Sequence, residues 1–203
     1  MTLPDILDYR IQEAYLKAYR YAAFAHFGQT YKSTNPPLPY IMHVSFVTME
    51  MMMMFQNERN DDGSLKWDVE SQILGIQCAL LHDTLEDCEI VNHAGLTAEF
   101  GEDVVKGVDA LTKDESKAKH IAMQESIKKL KDQPAVVQAV KLADRITNMQ
   151  PPPHFWTREK KKKYFKESQS ILRELGPASH YLRTRLESKV TNYQQYLEEP
   201  NAN

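Results

Sequence analysis

The sequence predicts an all-α fold, a single compact domain built from several helices. Apolar residues recur at three- and four-residue spacing in many segments, which places them on one face of a helix. Proline and glycine fall between these segments, and no run of alternating apolar and polar residues is long enough to build a sheet. With 203 residues, 42% hydrophobic and 26% charged, the chain can bury one core without disulfides.

The first two helices flank a proline-rich loop. Apolar positions between Ile11 and Ala25 predict a helix that ends near Gly28. Three prolines lie between residues 30 and 40, and each disfavours helix at itself and at the residue before it. We therefore predict a loop there and a second helix from about Ile41, with His43 in its first turn.

The second helix contains a methionine-rich run at residues 49–54. The apolar stretch around this run is shorter than the roughly 20 residues that span a bilayer. Because methionine side chains fill irregular gaps in protein cores, we expect the run to pack in the interior.

A third helix is predicted by apolar positions from Trp67 to Leu81, and it runs into His82. Shorter pieces follow around two glycines, and an apolar stripe returns within residues 104–111. These pieces connect the third helix to the second half of the chain.

Three helices are predicted in the second half. Asp132 and Pro134 are typical of a helix start, and the prolines of 151–153 end that helix. Thr157 can cap a long helix that ends at Gly176, and a final helix extends to about Leu197. We expect one domain over 1–203, with motifs within about 22–150 and C-terminal helices within about 157–198.

Charge and cysteine content exclude several classes of function. The net charge of -3 argues against broad nucleic-acid binding, and the lysine run 160–163 is interpreted as a solvated helix face, with polyanion attraction as the alternative. Cys78 and Cys88 form no CxxC pair, which indicates reduced, cytosolic cysteines. No basic region followed by an apolar stretch occurs in residues 1–10, so we expect a cytoplasmic protein without a membrane segment.

Ionisable residues crowd the end of the third helix. His82, Asp83, Glu86 and Asp87 follow an apolar run, and a continuous helix would pair them four residues apart. Burying these groups without compensation is costly, and a metal ion resolves the conflict; solvated acids at a helix end are the alternative. A mixed nitrogen and oxygen set suits divalent manganese, iron or zinc, and ligand type alone does not choose among them.

Motifs in two distant segments extend this set and carry a specific resemblance. In order and wording, five motifs resemble the HD-domain phosphohydrolases, and most closely the (p)ppGpp hydrolase domain of the RelA/SpoT enzymes and their small stand-alone relatives. The five motifs are His26-Phe27-Gly28-Gln29, Pro39-Tyr40-Ile41-Met42-His43, Ala79-Leu80-Leu81-His82-Asp83 with Glu86-Asp87, Leu111-Thr112-Lys113, and Lys141-Leu142-Ala143-Asp144-Arg145 with Asn148-Met149.

The resemblance implies a role for each motif. It implies metal ligation by His43, His82, Asp83 and Asp144, with Mn²⁺ favoured. It also places two acids near the attacking water, either as base or as hydrogen-bond partners of the ligands. These acids are Glu86 and Asp87.

Five further residues are candidate contacts for a purine nucleotide. Lys32 and Lys113 are phosphate contacts by resemblance, with solvated lysines as the alternative. Lys141 and Asn148 share a helix face with Asp144 by their spacing. Tyr31 stands where the family commonly has arginine, and Thr147 where it has histidine; we interpret Tyr31 as a stacking platform for the purine or as a residue packed in its loop.

The resemblance implies hydrolysis of guanosine tetra- or pentaphosphate at the 3′ position, yielding GDP or GTP and pyrophosphate, by a stand-alone hydrolase. Another nucleotide phosphatase or pyrophosphohydrolase of the HD superfamily is the alternative. A non-catalytic, nucleotide-sensing protein is a third interpretation, which the complete set of ligand positions disfavours. The expected partners are a small nucleotide, with no nucleic acid and no membrane; the sequence does not predict the oligomeric state.

Overall fold

A computed structural model describes residues 9–31, 36–113, 116, 117 and 119–197, except for the side chains of residues 119 and 120. The fold is all-α, as predicted, apart from one very small sheet. In the first half of the chain the elements are α1 (Tyr9–Ala25), β1 (Thr30–Tyr31), β2 (Leu38–Pro39), α2 (Ile41–Asn57), α3 (Val69–Leu81), α4 (Thr84–Asp87), α5 (His93–Phe100) and α6 (Glu102–Leu111). The second half adds α7 (Lys119–Lys131), α8 (Ala135–Asn148), α9 (Arg158–Leu175) and α10 (His180–Tyr193).

The segment after α1 differs from the predicted loop. Helix α1 ends at Ala25, and Gly28 forms part of the following turn with a φ of 79°, a value that glycine adopts without strain. Strands β1 and β2 then pair antiparallel, with Tyr31 opposite Leu38. Two-residue strands leave no alternation in the sequence, so pattern reasoning could not find them. Their pairing returns the chain to the start of α2.

The methionine-rich run is helical, but only part of it enters the core. Met51 and Met54 are fully buried, whereas Met49, Met52 and Met53 each expose more than two fifths of their surface. Three methionines in this run therefore form an exposed face of α2, and the prediction that the whole run packs in the interior was wrong for them.

A break separates α3 from α4. Asp68 caps the start of α3 by accepting a hydrogen bond from the backbone N–H of Ser71 at 2.8 Å. The helix ends at Leu81, and His82 and Asp83 form a turn before α4 begins. The helix does not continue through this segment, so His82 and Glu86 do not share one helix.

Helix α8 is the centre of the molecule and packs against α2, α3, α9 and α10. It begins after Pro134, whose carbonyl accepts the N–H of Val137. Asp132, which the sequence indicated as the helix start, does not cap the helix. Helix α3 approaches α8 closely at Gly75, where a Cβ would lie 2.6 Å from Val136 Cγ2. As predicted, Thr157 caps α9, which ends before Gly176.

A buried carboxylate joins the end of α2 to the start of α10. Glu58 accepts hydrogen bonds from Trp67 Nε1 at 2.9 Å, Ser179 Oγ at 2.7 Å and the backbone N–H of Tyr181 at 3.0 Å, and it pairs with Lys66. Burial alone would raise the pKa of Glu58, but these donors outweigh it and lower the pKa. In the part of the chain that the structure describes, no helix combines the length and hydropathy needed to cross a bilayer.

Candidate metal centre

Three helices bring the predicted metal ligands together. The β2–α2 junction places His43 in the first turn of α2, and the break after α3 presents His82 and Asp83. Asp144 comes from the last turn of α8. Because α2, α3 and α8 pack against one another, these side chains meet at one end of the three helices.

Three of the side chains converge on one point. One ligand atom from each of His43, His82 and Asp144 lies within 4.8 Å of the other two. Asp144 Oδ1 is 3.5 Å from His43 Nε2 and 3.8 Å from His82 Nε2. All three residues are buried. The spacing leaves room for an ion between the donor atoms.

His82 is oriented as a metal-binding histidine would be. Its Nδ1 lies 2.8 Å from the carbonyl oxygen of Ala79, which fixes Nδ1 as the protonated nitrogen and turns the lone pair of Nε2 toward the cluster. Nε2 is 2.9 Å from Asp83 Oδ2, but the two atoms are not aligned for a hydrogen bond. This buried nitrogen therefore lacks a hydrogen-bond partner among the described residues, so its lone pair is available to a metal ion.

Asp83 lies beside both histidines and is held by a tyrosine. Its Oδ2 is 3.5 Å from His43 Nε2 and accepts a 2.6 Å hydrogen bond from the hydroxyl of Tyr40. Burial, reinforced by Asp83, raises the pKa of Tyr40, so the hydroxyl stays protonated and acts as the donor. Tyr40 also packs against the ring of His26 at 4.7 Å between ring centroids.

Asp144 is braced by two side chains of its own helix. Lys141 Nζ donates to Oδ2 at 3.0 Å, and Asn148 Nδ2 donates to Oδ1 at 2.5 Å. The hydroxyl of Tyr31 in turn donates to Asn148 Oδ1 at 2.8 Å. Three of the predicted nucleotide contacts thus lie against the candidate metal ligands.

The electrostatics of the centre favour a cation. Burial alone would lower the pKa of His43, but hydrogen bonds and charge from Asp144 and Asp83 raise it to about 9. Against the effect of burial, the histidines hold the pKa of Asp83 well below its usual range, and Lys141 together with the histidines does the same for Asp144. Two ionised carboxylates and two imidazoles form a donor set that suits a divalent transition metal, so the residues fit the predicted cofactor.

The two predicted acids differ in their surroundings. Glu86 Oε2 accepts the backbone N–H of Lys113 at 3.1 Å, and Lys113 Nζ lies 3.6 Å from Glu86 Oε1. Although burial opposes it, Glu86 raises the pKa of Lys113. Asp87 follows on α4, where its backbone carbonyl accepts a hydrogen bond from Gln29. Lys32 lies outside the described residues.

Sequence reasoning missed the supporting residues of the centre. Tyr40 stood in a quoted motif but received no role, and Gln29 links α4 to the turn after α1. His26 Nδ1 contacts both Gln29 Oε1 at 2.8 Å and Cys88 Sγ at 3.3 Å. The signal that could have found them is their position inside the two upstream motifs.

Comparisons with known proteins identify curated relatives of this chain. No family model matches the chain. It is 33% identical over 143 residues to a guanosine-3′,5′-bis(diphosphate) 3′-pyrophosphohydrolase of Vibrio cholerae, covering 68% of the chain and 18% of that protein. It is 31% identical over 196 residues to a GTP pyrophosphokinase of Myxococcus xanthus, and the match covers 87% of the chain and 22% of that protein. The chain thus spans about a fifth of the length of these curated relatives.

A solved structure shares the fold. It is described as a metazoan ortholog of SpoT that hydrolyses ppGpp, and it matches with a TM-score of 0.72 and 24% identity over 98% of this chain and all of that one. An all-α fold that gathers two histidines and two aspartates in this order defines the class of HD-domain proteins. Within that class, the chain belongs to the RelA/SpoT-type hydrolase domain family.

Proposed function

We propose that the protein hydrolyses guanosine 3′,5′-bis(diphosphate) and its pentaphosphate form, releasing pyrophosphate and leaving GDP or GTP. The observation that carries the proposal is the buried Nε2 of His82, which lacks a hydrogen-bond partner among the described residues and lies with ligand atoms of His43 and Asp144 around one point. The name of the Vibrio cholerae relative supports the reaction. A cytoplasmic location and the absence of a nucleic-acid partner stay predictions.

The metal site of this proposal consists of His43, His82, Asp83 and Asp144, and Mn²⁺ is the ion we propose. When bound, such an ion lowers the pKa of a water molecule and polarises a phosphoryl oxygen. The chain fixes the donor atoms in advance, because Ala79 and Tyr40 orient His82 and Asp83. Little rearrangement is then needed when the ion and substrate bind.

In this proposal Glu86 and Asp87 position and deprotonate the attacking water. One carboxylate accepts a proton from the water as its oxygen attacks phosphorus, while the bond from phosphorus to the 3′ oxygen breaks and that oxygen takes up a proton to become the 3′ hydroxyl of GDP or GTP. Glu86 already accepts the N–H of Lys113, which fixes its direction and leaves its second oxygen beside the Lys113 ammonium. We therefore expect Glu86 to position the water and Asp87 to share the role of base.

The nucleotide contacts we propose are the five residues that the sequence analysis predicts. An ammonium has three N–H donors and an amide has two, so Lys141 and Asn148 each keep donors after bonding to Asp144. One face of the Tyr31 ring stacks on His43, with the ring centroids 5.2 Å apart and 6° between the planes. The face that points away from His43 would stack on the purine. Lys113 and Lys32 contact phosphate oxygens.

The test is pyrophosphate release by metal-stripped protein given the tetraphosphate, with and without Mn²⁺. We expect release only with Mn²⁺, and its loss in Asp144→Ala and Asp83→Ala. Asp103→Ala is the matched control, because Asp103 is an exposed α6 residue beside Lys106. No pyrophosphate after Mn²⁺ is restored would refute the proposal.

Two alternatives give different products. Orthophosphate released from an ordinary nucleotide monoester would identify another HD-type phosphatase. Binding of metal and nucleotide without turnover would identify a sensing protein. The relatives are enzymes by name, which favours turnover.

A further inference from the structure

Tyr31 has an unusual position between two parts of the centre. It belongs to β1, and its pairing with Leu38 holds the strand against β2, which runs directly into the segment before α2. The ring stacks in parallel on His43, and the hydroxyl reaches Asn148 near the end of α8. One side chain therefore connects two helices that each supply a metal ligand.

The direction of the hydrogen bonds is fixed by chemistry. The Asp144 carboxylate accepts from the Lys141 ammonium at Oδ2, and a carboxylate only accepts, so Asn148 turns its amide nitrogen toward Oδ1. The amide oxygen then faces Tyr31, whose hydroxyl must donate. The chain of donors runs from Tyr31 through Asn148 to Asp144 Oδ1, the oxygen that also faces both histidines.

We propose that Tyr31 is a positioning residue of the metal centre, which orients the Asn148 amide and through it the ligand oxygen of Asp144. The proposal rests on the proposed function only in requiring that the protein bind a divalent metal. Without the hydroxyl, the Asn148 oxygen loses this donor and the amide gains rotational freedom. An amide that turned over would place its oxygen against the Asp144 carboxylate, which is repulsive.

This role is separate from stacking on a purine. Stacking uses the ring, whereas positioning uses the hydroxyl, and Tyr31→Phe removes the second while keeping the first. The ring of phenylalanine can still lie on His43. The two roles therefore respond differently to one substitution.

The test is a calorimetric titration of metal-stripped protein with Mn²⁺, without nucleotide. We expect Tyr31→Phe to bind Mn²⁺ about 3- to 10-fold more weakly, the usual effect of one hydrogen bond. Asn148→Ala should bind about 10- to 100-fold more weakly, as for other partners of metal ligands. The double variant should match Asn148→Ala within about a factor of two, because Tyr31 acts through Asn148.

Controls separate positioning from general damage and from substrate binding. Tyr19→Phe removes a hydroxyl from α1, where the ring stacks on Tyr15, and should leave Mn²⁺ affinity unchanged. At saturating Mn²⁺, Tyr31→Phe should recover the wild-type KM for the nucleotide. Thermal unfolding of each metal-free variant confirms that it folds.

Three outcomes would contradict the inference or the function beneath it. Wild-type affinity in Tyr31→Phe overturns the positioning role, and so does a double variant whose losses multiply. A KM that stays raised at saturating Mn²⁺ overturns it in favour of a substrate contact. If the wild-type protein does not bind Mn²⁺, the proposed function itself fails.

Discussion

The close approach of α3 to α8 gives a prediction that links stability to the metal centre. At Gly75, a Cβ would lie 2.6 Å from Val136 Cγ2, 3.0 Å from Phe55 Cζ and 3.1 Å from Met51 Cε. Ordinary contacts of this kind begin at 3.4 Å, so Gly75→Ala must separate the helices or displace these side chains by several tenths of an ångström. Three contacts at once leave no simple relaxation.

The size of the effect follows from two opposing contributions. Overpacking a core costs about 1–3 kcal/mol, and the better helix propensity of alanine offsets roughly 0.5–1 kcal/mol of that. The difference of these ranges is a net loss of up to about 2.5 kcal/mol, centred near 1 kcal/mol, and a loss of about 1 kcal/mol lowers Tm by roughly 2–4 °C in a domain of this size.

The same substitution should weaken metal binding. His82 follows Gly75 by two helical turns and Asp144 follows Val136 by about the same distance along α8. Separating the helices at Gly75 therefore widens the 3.8 Å gap between His82 Nε2 and Asp144 Oδ1. We expect a lower Mn²⁺ affinity in Gly75→Ala at 25 °C, measured by titration.

Gly95→Ala is the matched control. Gly95 is an exposed residue in the first turn of α5, and the nearest atom to its added Cβ is 3.6 Å away. Alanine there should stabilise the protein by roughly 0.5–1 kcal/mol. If Gly75→Ala unfolds at or above the wild-type temperature, as Gly95→Ala should, the packing argument is wrong.

Two further predictions concern single hydrogen-bonded groups. Tyr40→Phe removes the donor on Asp83 Oδ2 and should weaken Mn²⁺ binding about 10-fold in the same titration; affinity within twofold of wild type would exclude a role for the hydroxyl. Glu58→Gln should lower the free energy of unfolding by about 1–3 kcal/mol at pH 7, because the amide turns a donor toward groups that themselves donate. Since the pKa of Glu58 is lowered in the folded state, its stabilising contribution is full above its ordinary pKa and is lost as the pH falls through the folded-state value. Denaturant melts at pH 7 and pH 3 should therefore show a smaller difference between wild type and Glu58→Gln at pH 3, and an equal difference would contradict the assignment.

The sequence was a good guide to the helices because their apolar spacing is a property of local pattern. The positions of α1, α2, α8 and α9 agree with that spacing to within a few residues. The ordered motifs also identified residues that the fold brings together from distant segments. These are His43, His82 and Asp144.

The sequence could not show which side chains contact one another at the candidate metal centre. A continuous helix would have paired His82 with Glu86, but after the break at Leu81 His82 lies beside His43 and Asp144, and Glu86 contacts Lys113. Helix termination depends on tertiary contacts, which residue spacing does not encode. Likewise, the sequence placed Asn148 on the face of Asp144, but only the fold shows that it already bonds to that carboxylate.

The ammonium of Lys141 beside Asp144 sets the charge that the substrate would encounter. Asp83 and Asp144 supply two negative charges, and Lys141, with its pKa lowered by burial against the opposing effect of Asp144, offsets one of them. With a divalent ion bound, the four ligands and Lys141 together would therefore carry one net positive charge instead of none. A polyphosphate would meet an attractive field in a buried site, where such a field is weakly screened. The same positive charge repels the metal ion. Lys141 therefore raises the affinity for a polyphosphate and lowers the affinity for the metal ion.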